Sequence, residues 1–350
     1  METARPIALV VVTGFLGAGK TTLLNRILKA PNLANTAVVI NEFGDVSLDH
    51  LLIEQSGEEI VELGGGCLCC TVRGDFVDLL VSLPDRRPAL DRVIVETTGL
   101  ADPVPLLQSV MAHPLLSQLY RTQCVITVID AITGSATLDR HEEARRQAAV
   151  ADRIIVTKAE LAPEEDPDAL FRRLSILNGN AELLDGRDPS VVEMLLRPAF
   201  GGQRTLAGEQ CGHAHDHDHD HEHHHHHEDF QSIALRHAAA LPGSVIENFL
   251  DLVASQQGDK ILRIKGLVET VEHPDRPLLI QGAQQFFHAP ELLSRWPDNE
   301  RGTRLVIIGR GLDTDYTRKL FAAFTGQVAI DTPDRTAVEQ NPLSIPGFRG

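Results

Sequence analysis

Residues 7–29 read IALVVVTGFLGAGKTTLLNRILK. Ile7 to Val12 is an unbroken apolar run of strand length, rich in β-branched residues, and reads as a buried strand. From Thr21 to Lys29, Leu23, Leu24, Ile27 and Leu28 recur at helical spacing. Between the two, GFLGAGKT at 14–21 satisfies GxxxxGK(S/T) in full, in the strand, loop, helix context that the motif requires. Gly14, Gly17 and Gly19 let successive backbone N–H groups turn toward phosphates, with the positive end of the following helix beneath them. Lys20 reaches the β- and γ-phosphates, and the Thr21 hydroxyl is the expected Mg2+ ligand. Gly14, Phe15, Leu16, Gly17, Ala18, Gly19, Lys20, Thr21 and Thr22 are therefore candidate nucleotide-binding positions.

Short β-branched runs recur at Ala37 to Ile40, Arg92 to Val95, Cys124 to Ile129 and Arg153 to Val156, separated by helix-length segments. The alternation predicts an α/β fold, a P-loop domain over residues 1–200 whose mostly parallel sheet carries helices on both faces. Two of the runs end on chemistry. VIVETTGLADP, at 93–103, places Glu96 at the end of a buried run, where a carboxylate is costly without a cation or hydrogen-bond partners. This is the Walker B position, from which Glu96 acts on Mg2+ through its water shell, while the Gly99 N–H senses the γ-phosphate. Asp102, before Pro103, reads as a helix cap. TKAE, at 157–160, follows the Arg153 run, where guanine-specific P-loop proteins carry (N/T)KxD. Thr157, Lys158 and Glu160 are thus the base-reading candidates, because a carboxylate accepts from the guanine N1–H and 2-amino group, which adenine cannot supply. Glu160 keeps those acceptors and adds a methylene.

Cys67, Cys69 and Cys70 follow Gly64 to Gly66. The glycine run argues for irregular backbone rather than a core strand, and thiolates crowded into one loop can converge on a soft or borderline ion such as zinc. The chain has five cysteines, an odd number that makes no disulfide framework and suits a reducing compartment, so the expected location is the cytoplasm. A formal charge of −17 argues against sequence-independent binding to nucleic acid or to an anionic membrane. No stretch approaches about 18 uninterrupted apolar residues, so no membrane span is expected. The short apolar run at the amino terminus passes straight into the phosphate loop and is not read as a removable signal.

Between 201 and 229 the composition turns to low complexity, and Cys211 to Glu228 reads CGHAHDHDHDHEHHHHHE with ten of the sixteen histidines. This segment reads as a flexible linker, in which His213, His215, His217, His219 and His221 are weak accessory metal ligands, with interleaved acids adding negative field. Incidental metal binding by a solvated linker is the competing reading. Beyond it, Ser232 to Arg236 reads as a strand, Pro242 to Ser255 as a helix, Lys260 to Val268 and Leu278 to Gln284 as paired strands, and Leu305 to Ile308 and Tyr316 to Phe324 as a strand and a helix. A small α+β domain over 230–331 and an irregular tail over 332–350 complete the expected organisation. Cys124 reads as core, and His113 as a surface or packing residue.

Taken in order, GFLGAGKTT, NEFGDVSLD at 41–49, GGGCLCC at 64–70, ETTGLADP at 96–103 and TKAE resemble the CobW-type GTPases. KILRIKGLV at 260–268 and LLIQGAQQFF at 278–287 are similar to the small carboxy-terminal domain of the same family. The resemblance implies a GTP-hydrolysing metallochaperone that loads zinc, or cobalt (Co2+) in cobalamin synthesis or hydratase activation, into a client metalloprotein. It places Cys67, Cys69 and Cys70 near the nucleotide and makes the NEFG segment a switch, with Glu42, Asp45 and Asp49 as nearby acids. Ile40 stands where some relatives carry a carboxylate, and Asp45 where some carry Glu, so a water or Glu42 is left to complete a zinc site that commonly takes four donors. Glu42 or Asp45 is the candidate to orient the hydrolytic water. GTP, Mg2+ and Zn2+ are the expected cofactors and cargo, and a homodimer is the commonest assembly for such an enzyme. Readings from other classes are a P-loop small-molecule kinase, which needs an acceptor pocket, and a passive metal buffer with an idle nucleotide site.

Overall fold

In a computed structural model of the chain, the residues described are 5–30, 33, 35–40, 60–62, 72–161, 167–195, 197–199 and 230–327. Strands β1 (Ile7–Gly14), β2 (Thr36–Ile40), β3 (Ile60–Glu62), β4 (Arg92–Glu96), β5 (Tyr120–Asp130), β6 (Arg153–Thr157) and β7 (Glu182–Asp185) form one sheet in the order β3-β2-β4-β1-β5-β6-β7. Every pairing in it is parallel. The helices are α1 (Lys20–Leu28), α2 (Val72–Arg86), α3 (Val104–Ala112), α4 (Leu116–Leu119), α5 (Gly134–Arg140), α6 (Glu142–Ala149), α7 (Pro167–Leu177) and α8 (Val191–Leu195).

The pleat of β1 shows why a continuous apolar run was needed. Leu9 and Val11 join a core with Phe76, Leu80 and Leu107, whereas Val10 and Val12 join a second core with Leu23, Leu24 and Ile27. Successive side chains on a strand point to opposite faces, so a strand with helices on both sides cannot alternate apolar and polar. The sheet is therefore covered on both faces, as the sequence predicts.

The carboxy-terminal part is an antiparallel sheet with helices. Strands β8 (Phe230–His237), β9 (Ile261–Val268), β10 (Leu278–Ala283), β11 (Phe286–Phe287), β12 (Glu291–Leu292) and β13 (Thr303–Arg310) run in the order β11-β10-β9-β13-β8, with β12 on β10. Helices α9 (Gly243–Gln257) and α10 (Thr314–Phe324) cover one face through Ile246, Phe249, Leu250, Val253 and Phe321. Leu262 and Ala283 instead join the core of the parallel sheet, so the antiparallel sheet is sandwiched between its own helices and the P-loop domain. That explains β9, which is buried along its whole length even at Arg263 and Lys265.

Those two cations share one strand face and meet a single carboxylate. Asp152 Oδ2 accepts from Arg263 at 2.7 Å and Oδ1 from Lys265 at 2.9 Å, while Oδ2 also takes the Val125 N–H at 2.7 Å. Burial alone would raise the Asp152 carboxyl, and the two cations with the Val125 N–H hold it below its ordinary value. Removing one member of such a buried set costs about 3–5 kcal/mol, because the remaining charge stays in low dielectric. The sequence-based strands begin later than β5 does: Arg121 to Gln123 interrupt the apolar run because the carboxy-terminal domain covers that end. His288 packs there, with Nε2 3.2 Å from the Thr122 hydroxyl. Among the described residues, no helix is long and apolar enough to cross a membrane.

Burial, then the neighbouring Arg121 cation, push the His288 imidazole down to about 3. In the unfolded chain it takes up a proton near pH 6.5, whereas the folded chain resists protonation until about pH 3. The unfolded state therefore binds more protons across that window, so stability is complete above the unfolded value and falls as pH drops through it. Between pH 6.5 and 5 this group removes about 2 kcal/mol. Urea unfolding at stepped pH is expected to show that loss in the wild type and a shallower slope in His288→Gln; parallel slopes would assign the loss elsewhere.

Candidate functional site

The loop between β1 and α1 is shaped by its glycines. Gly14, Gly17 and Gly19 adopt φ of 143°, 74° and 97°, a region that strongly favours glycine. A Cβ on Gly14 would lie 2.3 Å from the Val128 carbonyl oxygen, so the loop starts in direct backbone contact with β5. Its far side is clasped by β6 and the residue after it. Thr157 Oγ1 donates to the Ala18 carbonyl at 2.7 Å, and Lys158 Nζ to the Gly17 carbonyl at 2.7 Å. Lys20 Nζ curls into the loop and donates to the carbonyls of Gly14 and Phe15 at 3.0 and 3.2 Å.

The Walker B position meets this loop from β4. Glu96 is buried, and its Oε1 accepts from the Thr21 hydroxyl at 3.2 Å. Thr97 donates its N–H to the Val12 carbonyl and its hydroxyl to Thr13 Oγ1 at 2.7 Å, which fixes the end of β4 against β1. The turn then brings Gly99 onto the phosphate loop, where a Cβ would come within 2.7 Å of the Leu16 nitrogen. Behind it, Gln147 Nε2 donates to the carbonyls of Gly99 and Ala101 at 3.2 and 2.9 Å. Asp102 Oδ1 accepts from the Val104 N–H at 2.9 Å just before α3, whose N-cap position is Pro103 rather than the expected Asp102, and Oδ2 pairs with Arg146. A cavity of about 280 Å3 remains between these elements, lined by Leu16, Gly17, Lys20, Thr21, Glu96 and Gly99 among others. Glycines that a Cβ would crowd and hard oxygen donors at Thr21 and Glu96 suit a polyphosphate with Mg2+.

The base-reading candidates sit at the end of β6. Lys158 takes φ 57°, and Glu160 lies exposed on a single 3-10 turn, Ala159–Leu161. Asp130, at the end of β5, ties this corner together. It accepts from the N–H groups of Ile132 and Thr133 at 2.9 and 2.6 Å, from the Thr133 hydroxyl at 2.9 Å, and from Lys158 at 3.4 Å. Burial pushes the Asp130 carboxyl up, but Thr133 and Lys158 outweigh it and hold the group below its ordinary value. Sequence reading passed over Asp130, although it ends a buried β-branched run as Glu96 does. It also passed over Thr97, Thr98, Gln147 and the loop after β7, whose Gly186 and Asp188 carbonyls accept from Arg26 of α1.

Among the described residues, no group of three His, Cys, Asp or Glu side chains is placed to hold a metal ion. Glu42, Asp45, Asp49, Cys67, Cys69, Cys70, Cys211 and His213, His215, His217, His219 and His221 lie outside the described residues. The strands that flank those loops do bear on the site: Ile40 ends β2 opposite Glu96 and Glu62, and lines the phosphate cavity. Cys124 is buried as expected, its thiol pushed up to about 11 by burial and by Asp152. His113 is a local packing group that accepts the Leu116 N–H at 3.3 Å.

Residues 8–185 match the CobW/HypB/UreG nucleotide-binding domain, and residues 230–325 match the cobalamin synthesis protein CobW C-terminal domain. The chain is 32% identical to the zinc chaperone YjiA of Escherichia coli over 91% of its own length and 98% of the relative's. It is 35% identical to the zinc chaperone CobW of Pseudomonas aeruginosa over 89% and 90%. The crystal structure of Zn(II)-bound YjiA GTPase from E. coli superposes with a TM-score of 0.62 at 27% identity, covering 91% of this chain and 99% of that one. The fold, the phosphate loop and these matches agree that the chain belongs to the CobW/HypB/UreG family of P-loop proteins and carries the CobW C-terminal domain behind its nucleotide-binding domain.

Proposed function

We propose that the chain hydrolyses GTP and uses the nucleotide state to hold or hand over zinc, bound by Cys67, Cys69 and Cys70, to a client metalloprotein. The observation that carries the nucleotide half is the part-buried Thr21 hydroxyl to Glu96 carboxylate contact, 3.2 Å long, between two residues that line the phosphate cavity. GTPase activity is the family's reaction, and the relatives named zinc chaperone, together with a fission-yeast relative named zinc-regulated GTPase metalloprotein activator 1, support zinc as cargo. That last relative is 33% identical over 58% of this chain and 52% of its own length.

Each step rests on a residue of this chain. Loop N–H groups and the amino end of α1 take the phosphate charge. Lys20 exchanges its contacts with the Gly14 and Phe15 carbonyls for β- and γ-phosphate oxygens. Mg2+, when bound, neutralises charge between those oxygens. Thr21 and Glu96, in contact with each other, are the oxygen donors that would hold it. A water oriented by Glu42 or Asp45 attacks the γ-phosphorus, the bond to the β-phosphate oxygen breaks, and GDP and phosphate leave. Gly99, pressed on Leu16, is the group whose N–H would lose a partner with the γ-phosphate. Its carbonyl is held by Gln147 of α6, and Arg146 of the same helix joins Asp102 to Glu142, which pairs with Arg310 of β13. On this reading these contacts give a change at Gly99 a route to the carboxy-terminal domain. The histidine run is an accessory collector in this scheme. Cobalt fits the same thiolates, but the relatives' names favour zinc.

Glu96→Gln keeps the Thr21 contact and removes the charge, so GDP affinity is expected to stay within about threefold, while kcat falls by about 10²–10³. Unchanged kcat in a phosphate-release assay would remove Glu96 from the site. Glu160→Ala is expected to lower the GTP over ATP preference by at least about tenfold in kcat/KM, since one desolvated acceptor pair is lost. An unchanged ratio would place base reading elsewhere. Zinc titration with GTP and GDP is expected to give affinities that differ by about 5–150-fold, with binding abolished when Cys67, Cys69 and Cys70 are changed to Ala. Equal affinities in both nucleotide states would end the switch, and zinc binding lost only on deleting 213–227 would move the site to the histidines.

A further inference from the structure

A second cleft, of about 1140 Å3, lies between the two domains. It is remote from the phosphate loop, being lined by residues near the amino ends of β6 and β7, by the end of α8, and by the segment after β12. Arg5, Arg153, Arg197, Arg276 and Arg295 all face it, in a chain whose formal charge is −17. The carboxylates that line it are already engaged within the fold. Asp152 is held by Arg263 and Lys265, Glu182 by Arg153, Glu291 by Arg121, and Asp298 by Arg304. Neither Arg5 nor Arg295 has an acidic partner among the described residues, and Arg276 donates only to the carbonyls of Leu292 and Leu293. Arg153 and Arg197 are paired in turn, with Glu182 and Glu193, so the unneutralised guanidinium groups that the cleft presents are those of Arg5, Arg276 and Arg295. Its apolar part includes Trp296, the chain's one tryptophan, held by a bond from Nε1 to the Pro274 carbonyl and by Arg301 5.1 Å over the ring.

We propose that this cleft docks a carboxylate-rich peptide segment of a partner protein. Its volume exceeds the roughly 300–1,000 Å3 typical of small-molecule sites, which favours an extended polypeptide over a metabolite. Guanidinium forks recognise carboxylates in bidentate fashion, and the apolar stretch beside them takes the intervening side chains. The global negative charge does not oppose this at short range, because screening reduces it beyond about 8 Å at physiological salt. The identity of that partner as the metal client rests on the function proposed above; the docking surface itself does not.

The test uses the full chain and a synthetic twelve-residue peptide of Asp and Glu interspersed with Leu, following Trp296 emission. A saturable change is expected, weakened by added salt, absent with the Asn/Gln version of the peptide, and weakened about tenfold or more by Arg5→Glu with Arg295→Glu. GTP hydrolysis by that double variant should match the wild type, which shows that it folds and separates docking from the nucleotide reaction. No emission change, or equal response to the neutral peptide, overturns the proposal. A response that appears only after residues 208–228 are deleted also overturns it, by assigning the cleft to the chain's own acidic and histidine-rich run. Failure of the zinc titration with intact peptide binding would sink the client reading and leave the surface standing.

Discussion

Gly14 has no room for a side chain, since a Cβ would sit 2.3 Å from the carbonyl oxygen of Val128. That contact lets the phosphate loop lie flat on the carboxyl ends of β1 and β5, and the other parts of the site are arranged around it. Thr157 and Lys158 can reach the Ala18 and Gly17 carbonyls only because the loop lies so low. Glu96 can meet Thr21 because β4 pairs with β1 in a register that sets Val12 beside Glu96. The phosphate loop, the end of β6 and the Thr21–Glu96 pair are thus one assembly, held by backbone contact on one side and side-chain clasps on the other.

The two domains are joined by links of very different strength. At the end of the sheet away from the nucleotide, Asp152, Arg263 and Lys265 are almost fully buried and mutually satisfied, a set whose disruption costs several kcal/mol. Nearer the nucleotide, Arg146, Glu142 and Arg310 are each about a third exposed or more, and such pairs are worth roughly 0–1 kcal/mol. The buried set is therefore the costly link to break, while the exposed chain can exchange partners at little cost, and Leu262 and Ala283 add apolar burial to the same junction. On the function proposed above, a nucleotide-driven change at Gly99 would act on the weak link first.

Much of this was legible in the sequence where cause and effect are close together in the chain. The run from Ile7 to Lys29 carries its own strand, turn and helix, and Glu96 betrays itself as a charge at the end of an apolar run. Asp130 could have been found by the same rule, and was hidden because its partner motif, TKAE, draws attention to Glu160 instead. Arg263 and Lys265 were out of reach. In KILRIKGLV they look like the polar face of an edge strand, yet both are buried against Asp152, 111 and 113 residues away. Local pattern cannot show a partner that only domain packing supplies. Likewise Arg121 and Thr122 made the predicted strand start late, although His288 and the second sheet give them a buried setting.

Energy scales constrain how a nucleotide could govern zinc on the proposed reading. Thiolate-rich protein sites bind Zn2+ with apparent free energies of about 10–16 kcal/mol near neutral pH. Coupling between two sites on one protein is commonly about 1–3 kcal/mol. A GTP to GDP change of that size loosens the site by one or two orders of magnitude, far short of what would expel the ion into water. It is enough to tip an exchange between donors of similar strength. Delivery must then be ligand exchange within a complex, in which client thiolates or imidazoles replace those of Cys67, Cys69 and Cys70 one at a time. Such exchange needs the client held in place while the site is weakened, so a chaperone of this design requires a docking surface separate from its metal loop, and on this reading the cleft between the two domains is a suitable place for one.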